Sequence, residues 1–213
     1  MQVYLFLSGM KRIVALIFSG VMVFSVAKAQ EFNAALIVGS NFSQIDGDQL
    51  GGYNKLGLNA GLEISREVNE DWDAAFRIML SMKGSKKVID PEVFQPTLKI
   101  SYHYVEVPLI AKYKGFGNVV PYGGVSLGVN IYNQRDDNGI ITEEDDLRAM
   151  ETALHIGADY VLNDKFNIGL KHSYSLLSIR NQGVIVVSPT WFGRAGWYNR
   201  LFTIGLTRNL NAK

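Results

Sequence analysis

The stretch from Lys55 to Arg66 reads Lys-Leu-Gly-Leu-Asn-Ala-Gly-Leu-Glu-Ile-Ser-Arg, and it decides the fold class. Apolar residues occupy every second position, and the positions between them hold glycine or polar residues. Side chains alternate between two faces along a β-strand, whereas an amphipathic helix needs apolar residues three and four positions apart. The stretch therefore predicts a β-strand with one apolar face and one polar face.

The same two-residue period recurs in seven further segments, so the sequence predicts eight strands. They are 32–42, 55–66, 71–83, 100–113, 119–131, 151–162, 166–176 and 202–207. In the fourth segment the apolar parity changes at Tyr104 and Val105, close to Pro108. A change of parity near a proline predicts a β-bulge at which the apolar face switches sides.

The connections between the predicted strands alternate in length. Three are short, at 67–70, 115–118 and 163–165, and the long ones are 43–54, 85–99, 133–148 and 179–197. Short turns at one end and long loops at the other are typical of outer-membrane barrels with both termini at the short-turn end. The predicted fold is therefore all-β: an eight-stranded antiparallel up-and-down transmembrane β-barrel in a single domain.

The N-terminus has the pattern of an export signal. Lys11 and Arg12 precede an apolar run over 13–26, and Ala27-Lys28-Ala29 supplies a cleavage pattern. The run is shorter than the roughly 20 residues of a membrane-spanning helix. We expect residues 1–29 to be a cleaved signal peptide, with 1–9 an extension upstream of the true start, and residues 30–213 to form the barrel domain.

Composition and motifs exclude several classes of function. The formal net charge of +1 argues against a nucleic-acid partner, and the absence of cysteine excludes disulfides and cysteine chemistry. No G-x-S-x-G, H-E-x-x-H or P-loop pattern occurs. The sequence therefore predicts no enzyme, no cofactor and no metal site.

Small and bulky residues indicate which face of the strands lies inside. An eight-stranded barrel has a narrow interior that side chains fill, so small residues suit its inner face. The polar face carries Gly57, Gly61, Gly124, Gly128, Gly157, Gly169 and Gly205, and the apolar face carries Trp72, Phe76, Leu80 and Phe166. This distribution predicts apolar side chains facing lipid. A secreted soluble barrel that binds a small apolar ligand is the alternative.

The predicted inner face carries charges of both signs. They form a candidate lumen cluster of Glu63, Arg77, Glu106, Lys112, Glu151, His155, Asp159 and Lys171. Charges in a lumen are expected to pair and fill it, because an unpaired buried charge is costly. An ion path lined by Glu106, Lys112 and Asp159 is the alternative. A catalytic triad of Glu151, His155 and Asp159 is disfavoured, because four residues along a strand span roughly 13 Å.

Two long loops have distinctive compositions. Acidic residues at 136–137 and 143–146 predict a solvated surface, with divalent-cation or lipopolysaccharide bridging as the alternative. The fourth long loop holds an apolar run at 184–187 and the pair Trp191-Phe192. Exposed apolar residues in an outer loop suggest a protein partner or a β-hairpin that extends above the membrane.

The strand at 104–113 reads Tyr-Val-Glu-Val-Pro-Leu-Ile-Ala-Lys-Tyr, and it resembles a strand of the PorT-like, porin-family outer-membrane β-barrel proteins. Segments at 39–43, 57–61 and 121–128 are similar to other parts of that family. The resemblance implies a location in the bacterial outer membrane, with the lipid bilayer as partner. It leaves two roles open: a scaffold that interacts through its extracellular loops, and a component of an export or envelope-assembly machine. The chain departs from such barrels in lacking an aromatic C-terminal residue.

Overall fold

The computed structural model describes residues 32–87, 98–143, 146–181 and 196–211. Within them no helix is long and apolar enough to cross a membrane. The described residues form nine β-strands: β1 (Phe32–Asp46), β2 (Lys55–Glu67), β3 (Trp72–Lys86), β4 (Leu98–Tyr113), β5 (Val119–Asp137), β6 (Ile140–Thr142), β7 (Met150–Val161), β8 (Phe166–Ser175) and β9 (Tyr198–Asn209).

Eight of these strands close into an antiparallel ring. The order around the ring is β1, β2, β3, β4, β5, β7, β8 and β9, and β9 pairs with β1 from Ala35↔Asn209 to Asp46↔Tyr198. Each wall strand is hydrogen-bonded to a neighbour on both sides, as a strand in lipid must be, because lipid offers no partner to a free backbone group. The predicted eight-stranded antiparallel barrel is confirmed.

The three short turns lie at one end of the ring, as predicted. They cover 68–71, 114–118 and 162–165. In the first, the side-chain oxygen of Asn69 accepts hydrogen bonds from the backbone N–H groups of Asp71 (3.1 Å) and Trp72 (2.9 Å). Asn163 accepts from Lys165 (2.9 Å) and Phe166 (3.0 Å) in the third turn. Asparagine favours such turns because its side chain can bond to the backbone two residues further on.

The apolar side chains point outward and the polar ones inward. Leu58 and Phe76 are each 41% exposed and Leu170 is 55% exposed, whereas Lys171, the next residue along β8, is 7% exposed. In a soluble barrel the apolar face would be the buried one. The outward orientation of the apolar face is therefore confirmed, and the interior is a polar one.

The strands extend further toward the long-loop end than the sequence predicted. β1, β3 and β5 run to Asp46, Lys86 and Asp137, so they take in parts of the predicted loops 43–54, 85–99 and 133–148. β6 was not predicted, and it pairs with the end of β5 to form a hairpin. Apolar and polar residues alternate less regularly in these extensions, because strands above the lipid do not need an apolar outer face. The backbone hydrogen bonds between neighbouring strands continue without this alternation.

The predicted switch of the apolar face in β4 is wrong. Ile100, Tyr102 and Tyr104 are buried on the same inner face as Glu106, so β4 keeps one parity along its length. The error arises because the interior itself becomes apolar near the long-loop end. In the long-loop half of β4, hydrophobic side chains therefore face the interior and not the lipid.

The bulge near this position belongs to β5. His103 pairs with Tyr132 and Tyr104 pairs with Asn130, so Ile131 is an additional residue on the β5 side. Ile131 and Tyr132 are both exposed although they are consecutive, as expected where an extra residue interrupts the alternation. The proline of β4 is therefore not the cause of the bulge.

Some sequence predictions lie outside the described residues. These are the signal peptide at 1–29, the apolar residues at 184–187 and 191–192, and part of the acidic loop, at 144–145. The remainder of that acidic loop is described, and Asp136 and Asp137 lie at the end of β5.

A methyl group on Gly124 should destabilise the barrel. A Cβ at this position would lie 2.0 Å from the carbonyl oxygen of Leu109 and 2.9 Å from the Cα of Ile110, so β4 and β5 would have to separate. We expect Gly124→Ala to lower the free energy of unfolding by about 1–3 kcal/mol, measured by urea denaturation in detergent. Gly205→Ala is the matched control, because the nearest atom to its Cβ is 3.4 Å away. Equal effects of the two substitutions would contradict the close approach at Gly124.

Candidate functional site

The eight polar residues that the sequence assigned to the lumen all lie on the inner face of wall strands and are buried. They come from five different strands, so the curvature of the ring and not the sequence spacing brings them together. Glu63 lies on β2, Arg77 on β3, Glu106 and Lys112 on β4, Glu151, His155 and Asp159 on β7, and Lys171 on β8.

A lower cluster of Glu63, Arg77, Lys112 and Asp159 lies toward the short-turn end. The two carboxylate oxygens of Glu63 accept hydrogen bonds from Arg77 Nε (2.6 Å) and from Lys112 Nζ (2.5 Å). Asp159 Oδ2 lies 3.9 Å from Arg77 Nη2 and 3.8 Å from Lys112 Nζ. The guanidinium carbon of Arg77 lies 5.0 Å from the ring centre of Tyr122. Each charge in this cluster therefore faces an opposite charge.

An upper cluster lies above it, centred on Lys83. The ammonium group of Lys83 donates hydrogen bonds to Glu106 and to Glu151 Oε2 (2.7 Å), so it joins β3 to β4 and, across the lumen, to β7. Glu151 Oε1 accepts from the hydroxyl of Ser175 and from Asn199 Nδ2 (3.0 Å). The cluster thus ties together five of the eight wall strands.

Lys83 was not among the predicted lumen residues. It is 1% exposed and is the only cation bonded to either Glu106 or Glu151 within the described residues. The signal was present in the sequence, because Lys83 has the same parity on β3 as Arg77 and lies six positions along the strand. Lys83 was not assigned to the lumen because it is the last residue of the predicted strand. In the structure that strand continues to Lys86, so Lys83 lies within the wall.

His155 and Lys171 lie between the two clusters. The two ring nitrogens of His155 are each 2.7 Å from a serine hydroxyl, Nδ1 from Ser173 and Nε2 from Ser126. Lys171 forms no ion pair with a described residue, and the negative charges that act on it are those of Glu106 and Asp159. His155 is therefore held as a hydrogen-bonded structural residue.

The lumen charges balance. Four cations face four carboxylates: Arg77, Lys83, Lys112 and Lys171 against Glu63, Glu106, Glu151 and Asp159. Among the described residues no group of three or more histidine, aspartate or glutamate side chains is placed to hold a metal ion. Glu151, His155 and Asp159 belong to the upper cluster, the middle layer and the lower cluster respectively, so they form no compact catalytic site.

Little empty space remains at the centre of the barrel. The void beside Arg77, Tyr122 and Lys171 is about 20 Å³, room for no more than about one water molecule. Below it, the lumen widens into a vestibule of about 410 Å³ at the short-turn end. Its lining includes Lys112, Asp159 and the asparagines 33, 163, 167, 209 and 211. The vestibule is thus a polar cavity that ends at the lower cluster.

An apolar cap covers the upper cluster toward the long-loop end. Its buried members are Ile45, Ile100, Tyr102, Tyr104, Ile179 and Trp197. The guanidinium group of Arg180 lies 4.3 Å from the ring centre of Trp197 and 3.5 Å from the carboxylate of Asp146. The cap separates the charged centre of the lumen from the water above the barrel.

The family of the chain follows from its sequence as well as from this fold. Residues 28–181 match the family model of the outer membrane protein beta-barrel domain. This chain belongs to that family. Its wall strands therefore cross the bacterial outer membrane.

Solved structures of outer-membrane proteins are similar to this chain at low sequence identity, and that of Ail, with a TM-score above 0.5, shows the same fold. The attachment invasion locus protein Ail of Yersinia pestis is 16% identical with a TM-score of 0.51, over 84% of this chain and 99% of that one. Neisserial surface protein A is 14% identical with a TM-score of 0.47, over 83% and 95%. OprG of Pseudomonas aeruginosa is 13% identical with a TM-score of 0.41, over 87% and 98%. No curated protein matches the chain.

Membership of the family and the charged interior together disfavour the secreted soluble barrel. Such a protein would need an apolar cavity inside its wall, and the interior here is filled with charged side chains. The apolar recess of about 550 Å³ lies on the outer surface instead, lined by residues such as Phe76, Leu109 and Ala111. In the outer membrane, lipid tails cover such a surface.

Removing the cation of the upper cluster should be costly. Lys83→Met leaves Glu106 and Glu151 buried without their cation, and we expect a loss of about 3–5 kcal/mol in the free energy of unfolding. Adding Glu106→Gln and Glu151→Gln to Lys83→Met should restore much of the lost stability, because neutral amides need no counter-charge. Urea denaturation in detergent measures both effects, with Lys165→Met in an exposed turn as control. A Lys83→Met protein as stable as the wild type would contradict the assigned ion pairs.

The loop 47–54, at the long-loop end of the barrel, should make stability depend on pH. Burial raises the pKa of Asp48 above its ordinary value of 3.8, and the charge of Asp46 acts in the same direction. A raised pKa in the folded state means that the contribution of Asp48 to stability is fully present below pH 3.8 and is lost as the pH rises through the folded pKa.

Asp48→Asn should therefore be more stable than the wild type at pH 7, by about 1 kcal/mol, and equal to it below pH 3.8. The amide oxygen can still accept the hydrogen bond that Asp48 Oδ1 receives from Leu50 N (2.9 Å). Denaturation curves at pH 3 and pH 7 measure the difference, with Asp164→Asn in an exposed turn as control. A stability difference that does not change with pH would refute the role of burial.

Proposed function

We propose that this outer-membrane barrel is a non-conducting scaffold that acts through its extracellular surface. The observation that carries the proposal is the balanced set of four cations and four carboxylates in the lumen. A permeating ion would have to displace side chains that are already paired, and the void beside them is only about 20 Å³. The alternative ion path along Glu106, Lys112 and Asp159 is opposed by the ion pairs that Glu106 and Lys112 form.

The extracellular surface has a feature suited to a protein partner. β5 and β6 form a hairpin closed by Asn138 and Gly139, both with positive φ (55° and 87°), the geometry of a tight two-residue turn. Ile140 and Ile141 on β6 are 69% and 65% exposed. Apolar side chains on a strand that projects into water are typical of a recognition surface, because a partner can pair with the strand and cover them.

The resemblance to PorT-like proteins gives weaker support to a role in protein export. The strand that carries the resemblance, 104–113, supplies Glu106 and Lys112 to the two lumen clusters. The ring centre of Tyr104 lies 4.5 Å from Lys83 Nζ. These residues are therefore accounted for by the interior of the barrel. Their pattern supports a shared lumen architecture, and it supports the scaffold role at least as well as a role in export.

Conductance in planar lipid bilayers tests the proposal. We expect the purified wild-type barrel to give no steady open channel. The charge-neutral variant Glu63→Ser, Arg77→Ser, Lys83→Ser, Glu106→Ser removes one cation and one carboxylate from each cluster, and we expect it to conduct small ions because it opens space along the lumen. Heat-modifiable gel migration checks that both proteins are folded. A steady conductance of the wild type would overturn the proposal.

The same measurement identifies the obstruction. If the folded variant is as silent as the wild type, the ion-paired clusters are not what closes the lumen. The apolar cap would then be the remaining barrier among the described residues.

A further inference from the structure

The vestibule at the short-turn end is a cavity that the scaffold role does not use. Its volume of about 410 Å³ lies within the range of roughly 300–1,000 Å³ that is typical of small-molecule sites. The ion-paired clusters separate it from the apolar cap at the other end of the lumen. A ligand in the vestibule would therefore be independent of the β5–β6 hairpin and of whether the lumen conducts.

The charged side chains at the top and on one side of the vestibule are already paired. Lys112 bonds to Glu63 and lies 3.8 Å from the carboxylate of Asp159. Lys114 Nζ lies 2.9 Å from Asp73 Oδ1. A charged ligand would have to compete with these pairs, because a buried charge without its partner is costly. The lining therefore suits a neutral polar ligand.

Asparagine side chains supply hydrogen-bonding groups for such a ligand. Asn167, Asn209 and Asn33 lie on the inner face of the three consecutive strands β8, β9 and β1. Asn167 Oδ1 is buried without a hydrogen-bond partner, which costs free energy. The terminal bond of asparagine has a broad torsional preference, so this amide can turn toward a ligand. Asn209 Nδ2 donates to the backbone oxygen of Asp164 (2.9 Å), which leaves its Oδ1 to accept from a ligand.

Two valines interrupt the polar lining beside these amides. Val161 on β7 is the register partner of Asn167. Val120 on β5 pairs with Asp159, two residues before Val161 on β7. Both valines are half-buried and line the vestibule. An amide next to a small apolar surface matches a ligand that carries an amide and a methyl group together, because burial of the methyl group adds to the hydrogen bonds.

We propose that the vestibule binds an N-acetylated amino sugar. The N–H and C=O of its acetamido group complement the two ends of the Asn167 amide, and the acetyl methyl group lies against Val120 and Val161. Each hydroxyl of the sugar ring is both a donor and an acceptor, as are the amides of Asn33 and Asn209. The acetamido group therefore determines the specificity, and the other asparagines hold the ring.

Calorimetric titration of the purified full barrel with disaccharides tests the proposal. The detergent is lauryldimethylamine oxide, which has no sugar head group to compete. We expect diacetylchitobiose to bind the wild type. Cellobiose, which has hydroxyl groups in place of the acetamido groups, should bind about tenfold or more weakly. Equal binding of the two disaccharides, or no binding of diacetylchitobiose, would overturn the proposal.

Two monosaccharides test attraction by charge as the competing explanation. Asp164 lines the vestibule and is exposed, so its carboxylate is available to a cationic ligand. Glucosamine carries an ammonium group where N-acetylglucosamine carries the acetamido group. We expect N-acetylglucosamine to bind more tightly, and tighter binding of glucosamine would contradict recognition of the acetamido group.

The variants Asn167→Leu and Val161→Thr locate the site. Leucine removes both hydrogen-bonding groups of Asn167 at similar size, and threonine keeps the shape of Val161 but replaces a methyl group with a hydroxyl. We expect each variant to bind diacetylchitobiose about five- to tenfold more weakly than the wild type. The matched control is Asn118→Leu, because Asn118 is exposed in the turn 114–118 and does not line the vestibule.

Gel migration before and after heating confirms that the variants are folded, and Val161→Thr carries the test if Asn167→Leu does not fold. Wild-type affinity in the folded variants, or an equal loss of affinity in the Asn118→Leu control, would overturn the site.

Discussion

The structure depends on the requirement that the charges on the inner face balance one another inside the lumen. The apolar face of each strand is committed to lipid, so the alternating residues must face the interior, where water has little room. Lys83 shows the consequence most directly, because it bonds to Glu106 on the neighbouring strand and to Glu151 on the far side of the ring. Ion pairs that cross the lumen constrain the distance between opposite walls in a way that the backbone ladder alone does not.

This requirement explains how well the candidate site could be predicted. The period of two assigns each residue to a face, so the eight lumen residues could be found without knowing which strands meet. Their partners could not be predicted, since Glu63 bonds to Arg77 on an adjacent strand whereas Glu151 bonds to Lys83 across the lumen. Which pairs form depends on side-chain length and on the curvature of the ring, and neither is visible in a single strand.

The strands could be predicted well where they cross the lipid, because lipid imposes an alternation of apolar and polar residues. They could be predicted less well above the lipid. The eight wall strands and the short turns follow from alternation and from turn residues, but the ends of β1, β3 and β5 do not. In β4, Tyr102 and Tyr104 are apolar and yet face inward, because the cap replaces the charged interior there. The β5–β6 hairpin did have a local signal in Asn138-Gly139, a pair that favours a two-residue turn. That pair lies among acidic residues, which favour the interpretation of the segment as a solvated loop.

The two ends of the barrel differ in a way that bears on function. At the short-turn end the polar vestibule reaches up to the lower cluster, whereas at the long-loop end the apolar cap covers the upper cluster. The lumen is therefore open from the short-turn end as far as the ion pairs of the lower cluster. The cap forms a packed surface at the long-loop end, where the β5–β6 hairpin also lies. A barrel that closes its interior and extends its strands at one end has the arrangement that the proposed scaffold role requires.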